Sequence, residues 1–448
     1  MQENFSRKPA PSQIQIAFTD KPITPYGGLT FLARWEEKLK LPQLLQQALP
    51  DHRTSPNALP VVDLARSLLA SVAIGASRFA HVTRLRLDPA LSVLLGLARI
   101  PSPSTLTRYF NSFTQAQVER LAQTLGSWLL PRLPHPERIR TLDLDSSVFV
   151  RYGKQQGAKK GYNPKKPGRP SHRPILAILA EAKIIANLWL RSGDTADLTG
   201  ADQFLDETLA KLPAPLRIQI VRADTGFHDQ KFFAYLEHRG LAYVVAVRMD
   251  RRIQRTISAA KGWQAIDEHR QITELSYQAL TWDRPRRMVV VRERVRPGKE
   301  NRGKKLFDLP DYTYSAVFTT LDWPALEVWR FYNHRADVEN RIKELKEDFG
   351  IEGFCLHSFF GTEAVLRLIA FFYNLFTLFR VHILGNSHPT LKTVRHQLLV
   401  IGAQLGASGR RFLLRLAATG RLRNYLKILL ERLSAFDESQ LRCSWVGT

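Results

Sequence analysis

The spacing of apolar residues changes along the chain, and each change predicts a different kind of structure. Residues 1–27 show no sustained periodicity and are predicted to form a flexible arm. From residue 28 to 135 the apolar positions recur at helical spacing, with breaks at Pro50, Pro60 and Pro101. We therefore expect an all-helical N-terminal domain over residues 28–135.

One helix of this region has a clear start signal. Ser102 is suited to be an N-cap, and Pro103 is suited to the first helical position. Ser104, Thr107 and Arg108 would follow on this helix and could face nucleic acid, as in a recognition helix. A well-capped helix in an ordinary helical bundle accounts for the same pattern, so both interpretations remain open.

Beyond Pro136 the pattern changes to short runs with strand-like alternation. Within residues 139–150, Leu142 and Leu144 share one face of the predicted strand, whereas Asp143 and Asp145 share the other. The order that follows is strand, strand, strand, helix, strand, helix, strand, which is the order of a ribonuclease-H-like domain of the α/β class. These later strands are predicted at 175–179, 184–190, 218–221 and 243–247, and the helices near 195–212 and 228–239.

The α/β domain is predicted to be interrupted by an insertion. Residues 250–320 are basic and strand-like, which indicates a β-rich insertion. A long helix is expected from Pro324 to Gly350, since glycine commonly ends helices. The domain would then comprise residues 136–249 and 321–380, followed by a helical C-terminal region over 381–448.

The charge of the chain favours a polyanionic partner. Lys and Arg number 65 against 41 Asp and Glu, which gives a net charge of +24 and a pI near 10.2. Nucleic acid is the commonest partner of such proteins. Residues 364–430 contain ten basic residues and no acidic one, so the C-terminal region is expected to bind DNA, to dimerise or to do both.

A second acid-free stretch, residues 151–173, contains eight basic residues interleaved with Gly, Pro, Tyr and His. That composition suits a loop laid against a phosphate backbone, although either basic run is also explained by a solvated surface. Its candidate DNA contacts are Lys159, Lys160, Lys165, Lys166 and Arg169.

The apolar and cysteine content points away from membranes and disulfides. The most apolar stretch, residues 366–381, is interrupted by Arg367, Asn374 and Arg380, so we expect a core helix rather than a membrane span. The N-terminus has no apolar signal-peptide segment, and Cys355 and Cys443 are too few for a disulfide framework. A cytoplasmic protein is expected.

Carboxylates at strand ends are the first candidates for chemistry. Asp145 ends the first predicted strand, and Asp224 follows the strand at 218–221. Polar residues at such strand ends often line a crevice in open sheets, but a single Asp there is commonly a turn or helix cap. Neither residue is a strong signal alone.

The predicted helix after Pro324 adds a third carboxylate. At about 100° per residue, four polar side chains fall within about 60° of one another, beside an apolar stripe. They are Tyr332, Arg335, Glu339 and Lys346. An ordinary surface ion pair of Glu339 with Arg335 or Lys343 explains part of this pattern but not the clustering of all four.

Phosphodiester chemistry needs such a set of side chains. Two Mg²⁺ ions about 3.5–4 Å apart stabilise the attacking and leaving oxygens of an in-line displacement, and each needs one or two carboxylates. Cations beside them neutralise flanking phosphates, Arg by a bidentate fork and Lys as a point charge. The phenol of Tyr332 can add a hydrogen bond to phosphate.

At this point the sequence resembles a known family. The spacing Y-(2)-R-(3)-E-(6)-K around Glu339 is the signature of the DDE transposases of the insertion sequence 4 superfamily. DLDSS around Asp145 and RADTGF around Asp224 resemble its two Asp motifs. The string YGKQQGAKKGYNPKKPGRPSHRP is similar to the branch called insertion sequence family 1380. The resemblance runs from about residue 28 to about residue 380.

The resemblance implies a ribonuclease-H-like catalytic domain with a β-strand insertion before the Glu. It implies two Mg²⁺ or Mn²⁺ ions bound by Asp145, Asp224 and Glu339, and a homodimer that synapses two transposon ends of double-stranded DNA before joining them to target DNA. In this superfamily water cleaves one strand, the freed 3′-OH forms a hairpin with the other, and the 3′-OH later joins the target. Tyr332, Arg335 and Lys346 would contact phosphates near the cleaved end.

Several assignments remain open at this stage. The resemblance implies a Trp that stacks on a flipped base, for which Trp263 and Trp282 are both candidates, and either can instead be a core residue. Asp143 shares a face with Asp145, which is preferred as the ligand because Ser146 and Ser147 follow it. A transposase-derived DNA-binding protein without catalysis and a ribonuclease-H-like nuclease are the alternative functions.

Overall fold

The computed structural model describes residues 10–133, 136–294, 312–385 and 389–442. From α1 at Leu29 to residue 133 the regular elements are helices, and the N-cap predicted at Ser102 is present, because its Oγ accepts a hydrogen bond from Thr105 N at 3.1 Å. Ser104 and Arg108 are exposed on this helix, whereas Tyr109 is buried. The helices are α1 (Leu29–Lys38), α2 (Leu41–Ala48), α3 (Val61–Ala73), α4 (Thr83–Arg86), α5 (Leu91–Leu94), α6 (Pro103–Asn111) and α7 (Gln115–Leu129).

The remaining helices lie around and between strands. Their positions are α8 (Ala201–Ala210), α9 (Gln230–His238), α10 (Arg251–Ser258), α11 (Ala325–Asn333), α12 (Ala336–Glu347), α13 (Phe359–Phe379), α14 (Leu391–Val394) and α15 (Gly420–Ala435).

The strands form one large and two small sheets. They are β1 (Ile23–Thr24), β2 (Thr141–Ser146), β3 (Phe149–Val150), β4 (Lys159–Lys160), β5 (Pro170–His172), β6 (Ile175–Leu179), β7 (Ile184–Trp189), β8 (Ile220–Ala223), β9 (Ala242–Ala246), β10 (Gln264–Ala265), β11 (Arg270–Tyr277), β12 (Arg286–Arg294), β13 (Tyr312–Thr319), β14 (Ala403–Ser408) and β15 (Arg411–Leu416).

The large sheet has nine strands in the order β10-β11-β12-β13-β9-β8-β2-β6-β7. Strands β2, β6 and β7 pair antiparallel, while β2, β8 and β9 run parallel. The sequence of strands and helices through this half of the sheet is the one predicted from the apolar pattern. The mixed α/β architecture is therefore confirmed.

The insertion continues the same sheet. Strand β13 pairs antiparallel with β9, so that Val317 lies opposite Ala246. The predicted β-rich character of residues 250–320 holds for β10 to β13, but the segment also contains the helix α10. Since β9 offers a free backbone edge on the side away from β8, the inserted strands add to that edge instead of forming a separate sheet.

The long helix expected from Pro324 to Gly350 is broken in the structure. Helix α11 ends at Asn333 and α12 begins at Ala336. Between them the backbone hydrogen bonds span three residues instead of four, for example from Arg335 N to Tyr332 O at 2.9 Å. No Pro or Gly stands at this point, so the residue pattern gave no sign of the break.

The two ends of the chain also differ from expectation. Residues 403–416 form a β-hairpin within the region predicted to be helical, and Gly409 at its turn has a φ of +59°. Residues 23–24 of the predicted flexible arm pair with β14 of this hairpin. The arm is thus anchored near its end, and residues 1–9 and 443–448 lie outside the described chain.

Helix α13 is the core helix predicted from the apolar stretch. Together with the π-helical turn that follows, it is long and apolar enough to cross a membrane, but 94% of its most apolar window is buried inside the protein. Its polar residue Asn374 hydrogen-bonds both the N–H and the C=O of Ile185 at 2.9 Å. The amide therefore satisfies backbone groups of the edge strand β7.

A buried ion pair ties α12 to this core. Arg380 donates to Glu344 at 3.0 Å, and both side chains are buried. Glu344 also accepts the N–H of Leu391 at 3.0 Å. The pair thus connects the helix after the break to the residues that follow α13.

We expect Glu344→Ala to lower the free energy of unfolding by about 3–5 kcal/mol, because it leaves the charge of Arg380 buried without its partner. The measurement is a urea titration followed by circular dichroism. Glu347→Ala is the matched control on the same helix, since Glu347 is exposed, and it should change stability by less than about 0.5 kcal/mol. Equal effects of the two substitutions would contradict the anchoring role of Glu344.

Candidate active site

The strand register brings Asp145 and Asp224 to the same edge of the large sheet. Leu144 of β2 lies opposite Ala223 of the parallel strand β8. Asp145 is the next residue after Leu144, and Asp224 is the next residue after Ala223. The Asp224 side chain caps a short turn by accepting the N–H of Gly226 at 2.9 Å, so the capping role that its sequence suggested is also real.

Arg335 lies among the carboxylates, at the break between α11 and α12. Its guanidinium is 3.2 Å from Oδ1 of Asp145 and 3.3 Å from Oε1 of Glu339. Arg335 is only 5% exposed, whereas the Glu339 side chain is 68% exposed. The surface ion pair that the sequence allowed for Glu339 is thus present, but it continues inward to Asp145.

The electrostatics show that these groups share one site. Burial raises the pKa of Asp145 to about 7, against the opposing charge of Arg335 and with the help of the charges of Asp224 and Glu339. Burial also raises the pKa of Asp224, again opposed by Arg335. Tyr332 has its pKa raised by burial and by the same three carboxylates. Tyr332, Arg335 and the three carboxylates therefore lie close enough together to influence one another's charge, and we call this partly buried group the crevice.

Asp143, the alternative to Asp145, is engaged elsewhere. Its two carboxylate oxygens receive a bidentate fork from Arg222 at 2.6 and 2.7 Å, and both residues are buried. Arg222 also donates to the carbonyl of Phe331 at 2.6 Å. This pair fixes the end of α11 to the sheet beside the crevice.

Lys346 reaches the crevice from the far end of α12. Its Nζ donates to the carbonyl of Val148 at 3.1 Å and lies 5.3 Å from the centre of the Phe149 ring. Burial lowers the pKa of Lys346, as does the nearby charge of Lys165, while Asp145 opposes the shift. Lys165 of the basic stretch thus lies near Lys346.

The basic stretch 151–173 is more ordered than the predicted loop. It contributes β4 and β5 to the three-stranded sheet β3-β5-β4, in which β5 pairs both with β4 and with β3, the strand that precedes the stretch. Tyr152 stacks under two cations, with Lys166 and Arg169 at 5.0 and 5.6 Å from its ring. Lys159 is paired with Asp194 at 3.1 Å. The five candidate DNA contacts are all exposed: Lys159, Lys160, Lys165, Lys166 and Arg169.

The two candidate tryptophans have different surroundings. Trp282 packs in an aromatic cluster, with Phe318 and Tyr277 at 5.0 and 5.5 Å between ring centres. Trp263 lies beneath the guanidinium of Arg292 at 4.1 Å and donates from Nε1 to the carbonyl of Ala260. Both are partly exposed, and the packing of Trp282 is that of a core residue.

Asp197 is a carboxylate of this site that sequence analysis missed. It lies in the loop between β7 and α8, receives a hydrogen bond from Ser146 Oγ, and pairs with Arg173 at 2.7 Å. An Asp within the string GDTADL predicts only a turn. No local signal links it to Asp145, 52 residues earlier, because the contact is made by the fold.

The donor chemistry fits a hard divalent cation. Asp145, Asp224 and Glu339 offer only carboxylate oxygens, the preferred ligands of Mg²⁺. Within the described ranges no three acidic, His or Cys side chains stand at metal-ligand spacing, and the guanidinium of Arg335 lies between Asp145 and Glu339. Arg335 therefore occupies the place where a cation would balance these charges.

The chain is similar over most of its length to a known protein family. A family model described as Transposase DDE domain group 1 matches residues 7–438. Among solved structures, the chain is similar to a piggyBac transposase determined by cryo-EM as a synaptic complex with hairpin DNA, with 12% identity, a TM-score of 0.43, and coverage of 96% of this chain and 89% of that chain. No curated protein matches the chain.

The raised pKa of Asp145 predicts a pH-dependent stability in the absence of divalent cations. Its carboxyl group has a pKa of about 7 in the folded protein against 3.8 ordinarily. Between these values the folded state holds a proton that the unfolded chain has released, so stability falls as pH rises through this window.

Asp145→Asn removes that titration, so the variant should become more stable than the wild type by about 3–5 kcal/mol once the pH exceeds about 7, and by little near pH 4. Thermal unfolding at several pH values with EDTA measures this. Asp202→Asn, which changes an exposed carboxylate on α8, is the control. If the difference in stability between Asp145→Asn and the wild type does not grow with pH, the raised pKa of Asp145 is contradicted.

Proposed function

Because the chain belongs to the DDE transposase family, we propose that it is an active transposase whose catalytic carboxylates are Asp145, Asp224 and Glu339. The observation that carries this proposal is the position of Arg335. Its guanidinium contacts Asp145 and Glu339, and its charge opposes the rise in the pKa of Asp224. One guanidinium thereby connects carboxylates from β2, from the end of β8 and from α12.

The residues around the carboxylates have separate roles in this proposal. Arg335 and Lys346 neutralise phosphates of the scissile strand, and Tyr332 donates a hydrogen bond from its phenol, which the raised pKa keeps protonated. Two Mg²⁺ or Mn²⁺ ions held by the three carboxylates would stabilise the attacking and leaving oxygens.

The reaction we propose is cut-and-paste transposition through a hairpin. Water attacks a phosphodiester at each transposon end, the P–O3′ bond breaks, and the 3′ oxygen leaves as a hydroxyl after taking a proton. That 3′-OH attacks the opposite strand and forms the hairpin, which is later opened by water. The 3′-OH finally attacks target DNA, so each step exchanges one P–O bond for another.

We assign the finer family membership from the residues. The spacing of Tyr332, Arg335, Glu339 and Lys346 supports the insertion sequence 4 superfamily, and the stretch 152–174 supports its branch called family 1380. A ribonuclease-H-like core, a homodimeric synaptic complex and action on cytoplasmic, nucleoid-bound DNA are part of the same proposal.

We also propose how the regions share the work. Residues 28–135 bind the terminal repeats, residues 136–249 and 321–380 form the catalytic domain around the insertion, and residues 381–448 dimerise or contact DNA. The net charge of +24 supports double-stranded DNA as the partner.

The decisive experiment incubates the purified protein with DNA carrying its element's terminal inverted repeats in Mg²⁺. Wild type should give hairpin-ended excision products. Asp145→Ala, Asp224→Ala and Glu339→Ala should each lower the cleavage rate by about 100-fold or more, while end binding in a gel-shift assay persists.

Glu347→Ala is the matched control for Glu339→Ala, since both remove a glutamate from α12 and Glu347 is exposed. It should cleave like the wild type. Cleavage that survives in Glu339→Ala would disprove the triad. Binding without cleavage by the wild type would favour the DNA-binding protein, and hydrolysis without hairpin or strand transfer would favour the nuclease.

The basic stretch predicts a change in the salt dependence of DNA binding. Replacing Lys165, Lys166 and Arg169 together by Ala should flatten the slope of log K against log salt by about 0.9 for each phosphate that these side chains neutralise in the wild type. Fluorescence anisotropy between about 50 and 200 mM salt covers the informative range. Lys231→Ala, at an exposed lysine of α9, should leave the slope unchanged. An unchanged slope in the triple variant would exclude this surface from DNA contact.

A further inference from the structure

The carboxylate of Asp197 lies between the end of β2, which carries Asp145, and the turn after β8, which carries Asp224. Its Oδ1 accepts a hydrogen bond from the hydroxyl of Ser146, which directly follows Asp145. Its Oδ2 packs against Gly226, where an added Cβ would lie 2.4 Å from that oxygen. The N–H of Gly226 in turn holds Asp224 at 2.9 Å. One side chain thus contacts both the strand end and the turn, within two residues of each aspartate.

Two arginines fix this carboxylate from behind. Arg173 donates a bidentate fork to it at 2.8 and 2.7 Å, and Arg191 lies 4.0 Å away. Arg191 also fixes the loop backbone by donating to the carbonyls of Ala196, Asp197 and Thr199 at 3.0–3.2 Å. Because its charge is already balanced, Asp197 is poorly suited to be a metal ligand itself.

Arg173 also contacts the exposed surface of the basic stretch. The ring of Tyr162 lies 5.3 Å from the guanidinium carbon of Arg173, and Tyr162 is 68% exposed. The N–H of Arg173 donates to the carbonyl of Arg191 at 2.9 Å, which joins the end of the basic stretch to the β7–α8 loop. Asp197 therefore lies where three segments of the site meet.

We propose that Asp197 is a positioning residue that sets the separation of Asp145 and Asp224. It acts on the first through Ser146 and on the second through its close contact with Gly226. This inference rests on the proposed function, in which those two aspartates bind divalent ions. Groups that orient metal ligands without touching the metal typically change metal affinity by about 10–100-fold when removed.

Asp197→Asn tests the inference, because it keeps the size of the side chain but loses the charge and half of the fork from Arg173. We expect Mn²⁺ binding to the DNA-free protein, measured by isothermal titration calorimetry, to weaken by about 10–100-fold. Cleavage of transposon ends should need correspondingly more metal but approach the wild-type rate at saturation. Replacing a ligand, as in Asp145→Ala, should not be rescued in this way.

Gly226→Ala tests the same contact from the opposite side, because its Cβ would displace the Asp197 carboxylate. It should also weaken Mn²⁺ binding, and Asp197→Asn in the same chain should add little further loss, because both changes act on one contact. Asp202→Asn, an exposed carboxylate five residues along the chain, is the control and should bind Mn²⁺ like the wild type.

The outcomes separate this inference from the proposed function. A folded Asp197→Asn or Gly226→Ala protein with wild-type Mn²⁺ affinity overturns the positioning role, whatever the cleavage assay shows. A wild type that binds Mn²⁺ through Asp145 but leaves transposon ends uncut overturns the proposed function, while a weakened affinity in Asp197→Asn still supports the positioning role.

Discussion

The candidate site holds several carboxylates close together in a partly buried place, and their negative charges must be compensated for the fold to be stable. Like charges repel strongly where water is scarce, and burial alone disfavours an ionised carboxylate. Arginines supply the compensating charge in three ion-paired groups. Arg335 pairs with Asp145 and Glu339. Arg222 pairs with Asp143, and Arg173 pairs with Asp197. Around Arg335 the effect of burial prevails, since the pKa of Asp145 stays raised although Arg335 lowers it. An added cation would relieve this remaining effect of burial.

Periodicity and local chemistry predicted much of this arrangement. The alternation around Leu142 and Leu144, the apolar runs after it and the cap at Ser102 each depend on neighbours in sequence, so the elements they predict are present. Helix α13 was likewise predictable, because its long apolar run indicated a buried helix despite a few polar residues. Asp145, Asp224, Arg335 and Glu339 became candidates because their residue types and spacing suit metal-dependent phosphodiester chemistry, and the structure places them near one another.

What sequence analysis missed depends on contacts between distant segments. The break after Asn333 has no Pro or Gly to announce it, and it coincides with the burial of Arg335 against a strand almost 200 residues earlier. The pairing of Ile23 with Gln404 and the addition of β13 to β9 are likewise decided by which backbone edges are free in three dimensions. Asp197 is the clearest case, since nothing around it in sequence distinguishes it from a turn residue.

The break between α11 and α12 divides the polar signature between two bodies. Tyr332 belongs to α11, which packs on the large sheet in one cluster with Ile220 and Val244 of β8 and β9 and with Val289 and Val317 of the insertion. Glu339 belongs to α12, which Glu344 fastens to the core through Arg380. His334 and Arg335 separate the two helices, so the large sheet and the insertion position the phenol of Tyr332, whereas the helical core positions the carboxylate of Glu339. Two residues of one short signature are thus held by different layers of the fold, and Arg335 lies where the two layers meet.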